Sequence, residues 1–138
     1  MGRLIKTETV GKDRNRLVRG IVVAIRELMR QEKPDDLTAD LAAFIALALE
    51  AIVETIDGSV VAWEKRGYWV KADRFRMEWD WVGRLGGAMR LAVLSGDWAK
   101  VAEVAVQVAG KLSHVKVPVN HRLGTPWVGV FQRMKDNG

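Results

Sequence analysis

The most restrictive stretch of this sequence is LAAFIALAL, residues 41–49, in which every side chain is apolar. The run lies between Asp40 and Glu50 and is too short to cross a bilayer. Alanine and leucine favour helix, and a helix that is apolar on every side needs a neighbour on every side. The run therefore predicts a central helix that several other helices bury.

Composition favours an all-α fold. The chain has 138 residues, of which 49% are apolar and 28% charged, and this is typical of one globular domain. It contains only three prolines, and no cysteine that could form a disulfide, a zinc site or a thiol nucleophile. No apolar leader follows Met1, so we expect a cytoplasmic protein without a membrane partner.

Apolar residues spaced three and four positions apart predict four main helices. In RGYWVKADRFRMEWDW, residues 66–81, aromatic and charged side chains fall on different sides of one helix. Its apolar seam begins at Tyr68, includes Phe75 and Trp79, and continues to Val93. We therefore expect one continuous third helix, with Phe75 and Trp79 in the core. The four helices are predicted over residues 13–31, 36–56, 66–93 and 98–112.

The pattern changes at Ser113. Val115, Val117 and Val119 alternate with polar or proline residues, which predicts an extended segment, and Thr125 then begins a short amphipathic helix. We predict a single helical domain over residues 1–138, a four-helix bundle-like fold with an extended C-terminal segment and a short terminal helix. Its parts are a basic arm (1–11), the helical bundle (12–112) and the tail (113–138).

Charge is strongly segregated along the chain. The net charge is +5, but residues 34–64 carry seven acids and no lysine or arginine. Residues 1–33 carry nine basic residues against four acids, and residues 111–138 carry five against one. Part of the positive charge can therefore meet an internal acidic helix, while the rest remains for an anionic partner.

The acidic residues of the second helix form a row. If the first two helices make an antiparallel hairpin folded near Pro34, Arg19 approaches Glu50 and Arg16 approaches Glu54. Partly buried ion pairs of this kind fix the register of two helices more clearly than they add stability. The predicted ion ladder comprises Arg16, Arg19, Glu50, Glu54 and Asp57.

Metal binding is the alternative for this row, because carboxylates on bundle helices can hold metal ions. The segment Glu54–Asp57 resembles the E-x-x-D half of the acidic motif in all-helical nucleotide pyrophosphohydrolases. The matching E-x-x-E half is absent, since Arg30 stands three positions after Glu27, and no Glu-x-x-His pair exists. We therefore predict no metal, no cofactor and no catalytic residue.

The remaining positive charge predicts non-catalytic binding to RNA or DNA, within or outside a larger assembly. The chain contains no RRM, KH, zinc-finger or OB signature, so we expect no base-specific recognition. Trp69 and Trp127 are the candidates for stacking on bases. The predicted nucleic-acid contacts are Arg3, Lys6, Arg14, Arg26, Arg30, Lys33, Lys116, Arg122 and Arg133.

A second hypothesis is a structural or oligomerising helical protein. In that case, exposed tryptophans and the apolar C-terminal tail contact another protein or a second copy, and the basic charge only aids solubility. An exposed apolar patch above about 600 Å² favours this alternative. A continuous positive face that joins the first helix to the tail favours nucleic acid.

Overall fold

The computed structural model describes residues 7–137. All regular secondary structure in this range is α-helical, so the prediction of an all-α fold is confirmed. The first helix begins inside the predicted arm, and the part of that arm before Thr7 lies outside the described residues. The helices are α1 Thr7–Leu28, α2 Asp36–Lys65, α3 Trp69–Glu78, α4 Asp80–Ser95, α5 Trp98–Lys111 and α6 Val130–Asn137.

The apolar run at residues 41–49 lies in α2, the central helix, which contacts α1, α3, α4 and α6. Seven of its nine side chains are buried, while Phe44 and Leu47 are half-buried. α2 begins with a capping box: the Asp35 carboxylate accepts a 3.0 Å hydrogen bond from the Thr38 backbone N–H. This bond lowers the pKa of Asp35, which favours the ionised cap.

The predicted third helix is interrupted, and this part of the prediction is wrong. α3 ends at Glu78 and α4 begins at Asp80, so Trp79 separates the two helices. Trp79 is half-buried against the core, but Tyr68, at the start of the predicted seam, is 52% exposed, and Trp81 is buried instead. Neither proline nor glycine marks the break, so periodicity alone could not reveal it.

α4 runs antiparallel to α2 at close range. A Cβ at Gly86 would lie 3.1 Å from the Leu49 Cβ, and a Cβ at Gly83 would lie 3.6 Å from Val53. The contact at Gly86 leaves no room for a side chain without a shift of α2 or α4. This explains why a glycine, which costs about 1 kcal/mol relative to alanine inside a helix, occurs at this position.

The C-terminal segment packs against the helices and belongs to the fold. Trp127 and Val117 are buried, and the Trp127 ring lies edge-on to Phe44, with 6.4 Å between centroids. Asp40 of α2 accepts hydrogen bonds from the backbone N–H groups of Gly129 and Phe131, both at 3.0 Å. A side chain of the central helix therefore caps the first turn of α6.

Candidate nucleic-acid interface

Two exposed aromatic side chains lie at the corner between the end of α2 and the start of α3. Gly67 has a φ of +80°, a conformation that suits glycine and lets the chain turn directly after α2. Tyr68 and Trp69 follow this turn, and 52% and 60% of their surfaces are exposed. We call residues 65–78 the α2–α3 corner.

Basic side chains surround these aromatics. The acids Glu64 and Asp73 both pair with Arg76, at 2.9 and 3.2 Å. None of the ion pairs between residues 9 and 137 involves the other bases of the corner. Four exposed cations therefore lie outside these ion pairs, namely Lys65, Arg66, Lys71 and Arg74.

Two shallow depressions follow α3 and share the side chains of Val70 and Lys71. One encloses about 530 Å³ beside Tyr68 and Trp69. The other encloses about 550 Å³ over the rings of Trp63 and Phe75, with Arg74 and Glu78 completing its lining. Together they form a continuous strip in which aromatic surface alternates with positive charge.

An aromatic cluster lies directly beneath the strip. Trp63 meets Phe75 edge-on at 4.8 Å, Phe75 lies 6.2 Å from Trp79, and Trp79 stacks on Trp81 at 6.1 Å. The Lys71 Nζ lies 4.5 Å from the centroid of the Trp63 ring, within range of a cation–π interaction. These contacts tie α3 to the end of α2 and to the start of α4.

Arg14 of α1, one of the predicted nucleic-acid contacts, lies beneath this cluster and is half-buried. Its guanidinium donates to the Thr55 side chain and carbonyl, and to Ser59 Oγ at 2.6 Å. Its Cζ also lies 4.8 Å from the Phe75 centroid and 6.0 Å from that of Trp79. Burial lowers the pKa of Arg14, although an arginine remains charged at neutral pH.

Arg26 and Arg30, two more of the predicted nucleic-acid contacts, have partners within the chain. Arg26 donates a 2.7 Å hydrogen bond to the Val117 carbonyl, which brings the end of α1 beside Lys116. Arg30 pairs with Glu27 one turn away, at 3.1 Å. Both predicted contacts are therefore compensated within the chain. Arg3 and Lys6 lie outside the described residues, whereas Lys33, Lys116, Arg122 and Arg133 are exposed.

Trp127 cannot serve as a stacking platform, because only 5% of its surface is exposed. Its ring fills the space between α2 and α6 and contacts Phe44. The sequence predicted a short amphipathic helix from Thr125, but α6 begins at Val130, so Trp127 lies in the turn before it. Of the two predicted stacking residues, Trp69 alone is accessible.

The predicted ion ladder is wrong in its partners. Glu50 makes a bidentate pair with Arg90 of α4, at 2.6 and 2.9 Å, and this bonding raises the pKa of Arg90. Arg16 pairs with Asp13 of its own helix at 3.0 Å. Arg19, Glu54 and Asp57 are exposed.

The reason for this error is a rotation of α2. α1 and α2 do pack together, and Arg14 lies opposite Thr55 and Ser59, close to the register that a hairpin at Pro34 predicts. At 100° per residue, however, the row of Glu50, Glu54 and Asp57 occupies a different side of the helix from Thr55 and Ser59. Register was thus predictable, whereas the side of α2 that faces α1 was not.

The α2–α3 corner was missed because charge was averaged over too long a segment. Residues 65–110 carry eight basic residues against five acids, which suggests compensation. Residues 65–76 alone carry five against one. A count over this shorter window would have found the corner.

Within residues 9–137, no three histidine, aspartate or glutamate side chains are close enough together to hold a metal ion. None of the helices in the same range is both long and apolar enough to span a bilayer. Comparison of the chain with protein-family models, curated proteins and solved structures finds no significant match.

Proposed function

We propose that this protein binds single-stranded nucleic acid at the α2–α3 corner and does so without catalysis. One observation carries the proposal: the exposed rings of Tyr68 and Trp69 lie among four exposed cations that take part in none of the described ion pairs. Aromatic rings next to a positively charged groove are the usual arrangement of proteins that bind single strands with little sequence preference.

In this proposal, the bases stack on Trp69 and Tyr68 while phosphates contact Lys71 and Arg74. An unpaired base exposes its ring to an aromatic side chain, whereas a base inside a duplex is already stacked. Packing of α3 against the aromatic cluster would hold these side chains in place before binding, so that little ordering is needed. We expect no preference for particular base sequences.

The bases at the far end of α1 are a separate candidate contact. α1 has 22 residues and therefore extends about 33 Å. Its first half lies near Thr55 and Ser59, towards the α2–α3 corner, and its last turn lies near Val117. Lys33 and Lys116 thus belong to the opposite end of the α1–α2 pair, and mutagenesis can assess them independently.

Salt dependence provides the first test. Fluorescence anisotropy with a labelled single-stranded oligonucleotide should give a linear plot of log affinity against log salt concentration. The double variant Lys71→Gln/Arg74→Gln should reduce the slope by about 1.4, since each lost phosphate contact on a single strand removes about 0.7. The matched control Lys100→Gln/Lys111→Gln removes the same charge from α5, which supplies none of the proposed contacts, and should leave the slope unchanged.

Stacking provides the second test. Trp69→Ala should weaken single-strand binding by about 1–3 kcal/mol and leave the weaker binding to duplex unchanged. Met77→Ala is the control, because it removes another exposed apolar side chain of α3, 77% exposed, that offers no ring. The proposal is rejected if neither RNA nor DNA single strands bind at micromolar protein in low salt.

A protein interface at the same corner is the second candidate, because Val70 and Met77 are 66% and 77% exposed beside Trp69. Exposed apolar residues that cluster in this way are typical of protein interfaces. In that case Met77→Ala and Val70→Ala should weaken association as much as Trp69→Ala does. Light scattering over a range of protein concentrations tests self-association directly.

A further inference from the structure

A separate groove, of about 440 Å³, lies between α1, α2, α4 and α6. This volume is within the range of small-molecule sites in proteins. Its surface is mainly apolar, while each of two different walls contributes one arginine, Arg90 from α4 and Arg133 from α6. The apolar lining consists of Leu17, Phe44, Leu47, Ala48, Ala51, Pro126, Val130 and Met134.

The groove is open because α6 covers the apolar surface incompletely. α6 has eight residues and therefore extends about 12 Å along α2. Val130 and Met134 on the inner side of α6 are buried, but Leu17 of α1 and Leu47 of α2 are only half-buried. Apolar surface thus continues beside α6 and remains accessible.

The two arginines differ in how their charge is compensated. Arg90 donates from Nε and Nη2 to Glu50, so its Nη1 still has hydrogens to donate. Arg133 makes only a long hydrogen bond of 3.4 Å to the Val128 carbonyl. No acidic residue lines the groove within the described part of the chain. Because Glu50 neutralises Arg90, the mouth of the groove has a net charge close to +1.

We propose that this groove binds a long-chain carboxylate. The hydrocarbon chain lies on the apolar floor, and the carboxylate accepts hydrogen bonds from Arg133 and from the remaining donors of Arg90. A monoanion matches the single uncompensated charge, whereas a dianionic phosphate would retain an unbalanced charge close to Glu50. The inference does not depend on the proposed function, because none of the groove residues belongs to the α2–α3 corner.

Methionine methyl groups provide a site-specific measurement. In protein labelled with ¹³C at the methionine methyls, dodecanoate below its critical micelle concentration should shift the Met134 signal and saturate at one equivalent. Met89, which is fully buried, reports whether the fold is intact, and exposed Met77 reports non-specific association. Dodecanol lacks the charge, and acetate lacks the hydrocarbon chain. Each should therefore bind at least tenfold more weakly than dodecanoate.

Two variants test the two halves of the site. Arg133→Gln should weaken dodecanoate about tenfold, whereas Lys135→Gln, the loss of a charge on the same helix, should have no effect. Ala51→Leu should fill the floor and abolish the Met134 shift, with Met89 unchanged if the protein is folded. Because Arg133 is exposed, its variant tests the proposal even if Ala51→Leu fails to fold.

The proposal is overturned if Met134 does not shift, if the shift does not saturate, or if Arg133→Gln binds as the Lys135→Gln control does. Equal binding of dodecanol and dodecanoate would also overturn it, because the arginines would then have no part in recognition. Oligonucleotide binding by Arg133→Gln should equal that of the unmodified protein. The two sites can therefore fail or succeed separately.

Discussion

α3 and α6 are both short helices that pack on α2, but they are attached to it in different ways. α6 has eight residues, a first turn capped by Asp40, and Val130 and Met134 buried. α3 has ten residues, no side-chain hydrogen bond at its N-cap Tyr68, and only Ala72 buried. α6 is thus capped and buries two of its side chains, whereas α3 has no side-chain cap and buries one.

The difference separates buried from exposed apolar sequence. Apolar side chains of α6 are buried and contribute to stability. On α3 the exposed side chains include Trp69, Val70 and Met77, which contribute little to the folding of this chain. Natural proteins tend to give up stability where a surface must bind something, and this is why the exposed side chains of α3 support the proposed binding site.

Tryptophan substitutions should give the largest contrast. Trp127→Ala removes a ring that is 5% exposed and should lower the free energy of unfolding by about 3–5 kcal/mol. Trp69→Ala removes a ring that is 60% exposed and should change it by less than about 0.5 kcal/mol. Urea denaturation monitored by circular dichroism measures both.

If Trp127→Ala and Trp69→Ala lower the free energy of unfolding equally, the contrast between the two helices is wrong, because α3 then contributes as much to stability as α6. An unchanged urea m-value is the control, since it shows that both variants unfold from a similarly compact state.

Much of the fold was accessible from sequence because burial leaves a strong periodic signal. The run at residues 41–49 identified the central helix, and the turn near Pro34 gave the approximate register of α1 on α2. What the sequence could not give was rotation about the helix axis. The spacing of Glu50 and Glu54 is the same whichever side of α2 faces α1. Only the packed structure shows that the partner of Glu50 is Arg90 of α4.

The candidate site was less predictable, because exposure depends on which neighbour covers a side chain. Trp69 and Trp127 both lie in amphipathic segments, yet α2 buries one and no helix covers the other. Arg14 was grouped with the basic surface although three hydrogen bonds hold it inside. Charge and aromatic content identified candidate residues, but only tertiary packing shows which of them are exposed.

Arg14 allows a test of how α3 is attached. Arg14→Ala should cost about 1–3 kcal/mol, because the hydroxyl and carbonyl groups of Thr55 and Ser59 lose their donor. The Phe75 ring also loses its cation, so amide hydrogen exchange should rise in α3 more than in α6. Arg14→Lys is the control, which keeps the charge but cannot bond both residues at once. Uniform acceleration of exchange in both helices would contradict this role.

Asp40 allows the reciprocal test on α6. Asp40→Ala should cost about 0.5–2 kcal/mol, which is typical for loss of a helix cap. The Gly129 and Phe131 amides, which donate to its carboxylate, should then exchange faster with solvent, while the amides of α3 should not change. Asp40→Asn retains one acceptor oxygen and should have a smaller effect. If Asp40→Ala changes neither stability nor exchange, Trp127, Val130 and Met134 alone hold α6 in place.

The smallest expected effect is also the most specific to α3. Tyr68 occupies the N-cap of α3 and makes no side-chain hydrogen bond there. Serine at this position can accept a bond from the first turn, so Tyr68→Ser should raise the free energy of unfolding by about 0.5 kcal/mol. It should also weaken single-strand binding, because an exposed ring is lost. Tyr68→Phe, which keeps the ring and adds no cap, should change neither property. A Tyr68→Ser protein that is more stable and binds equally well would show that the exposed ring has no part in binding, whereas a less stable one would show that Tyr68 holds α3 in place.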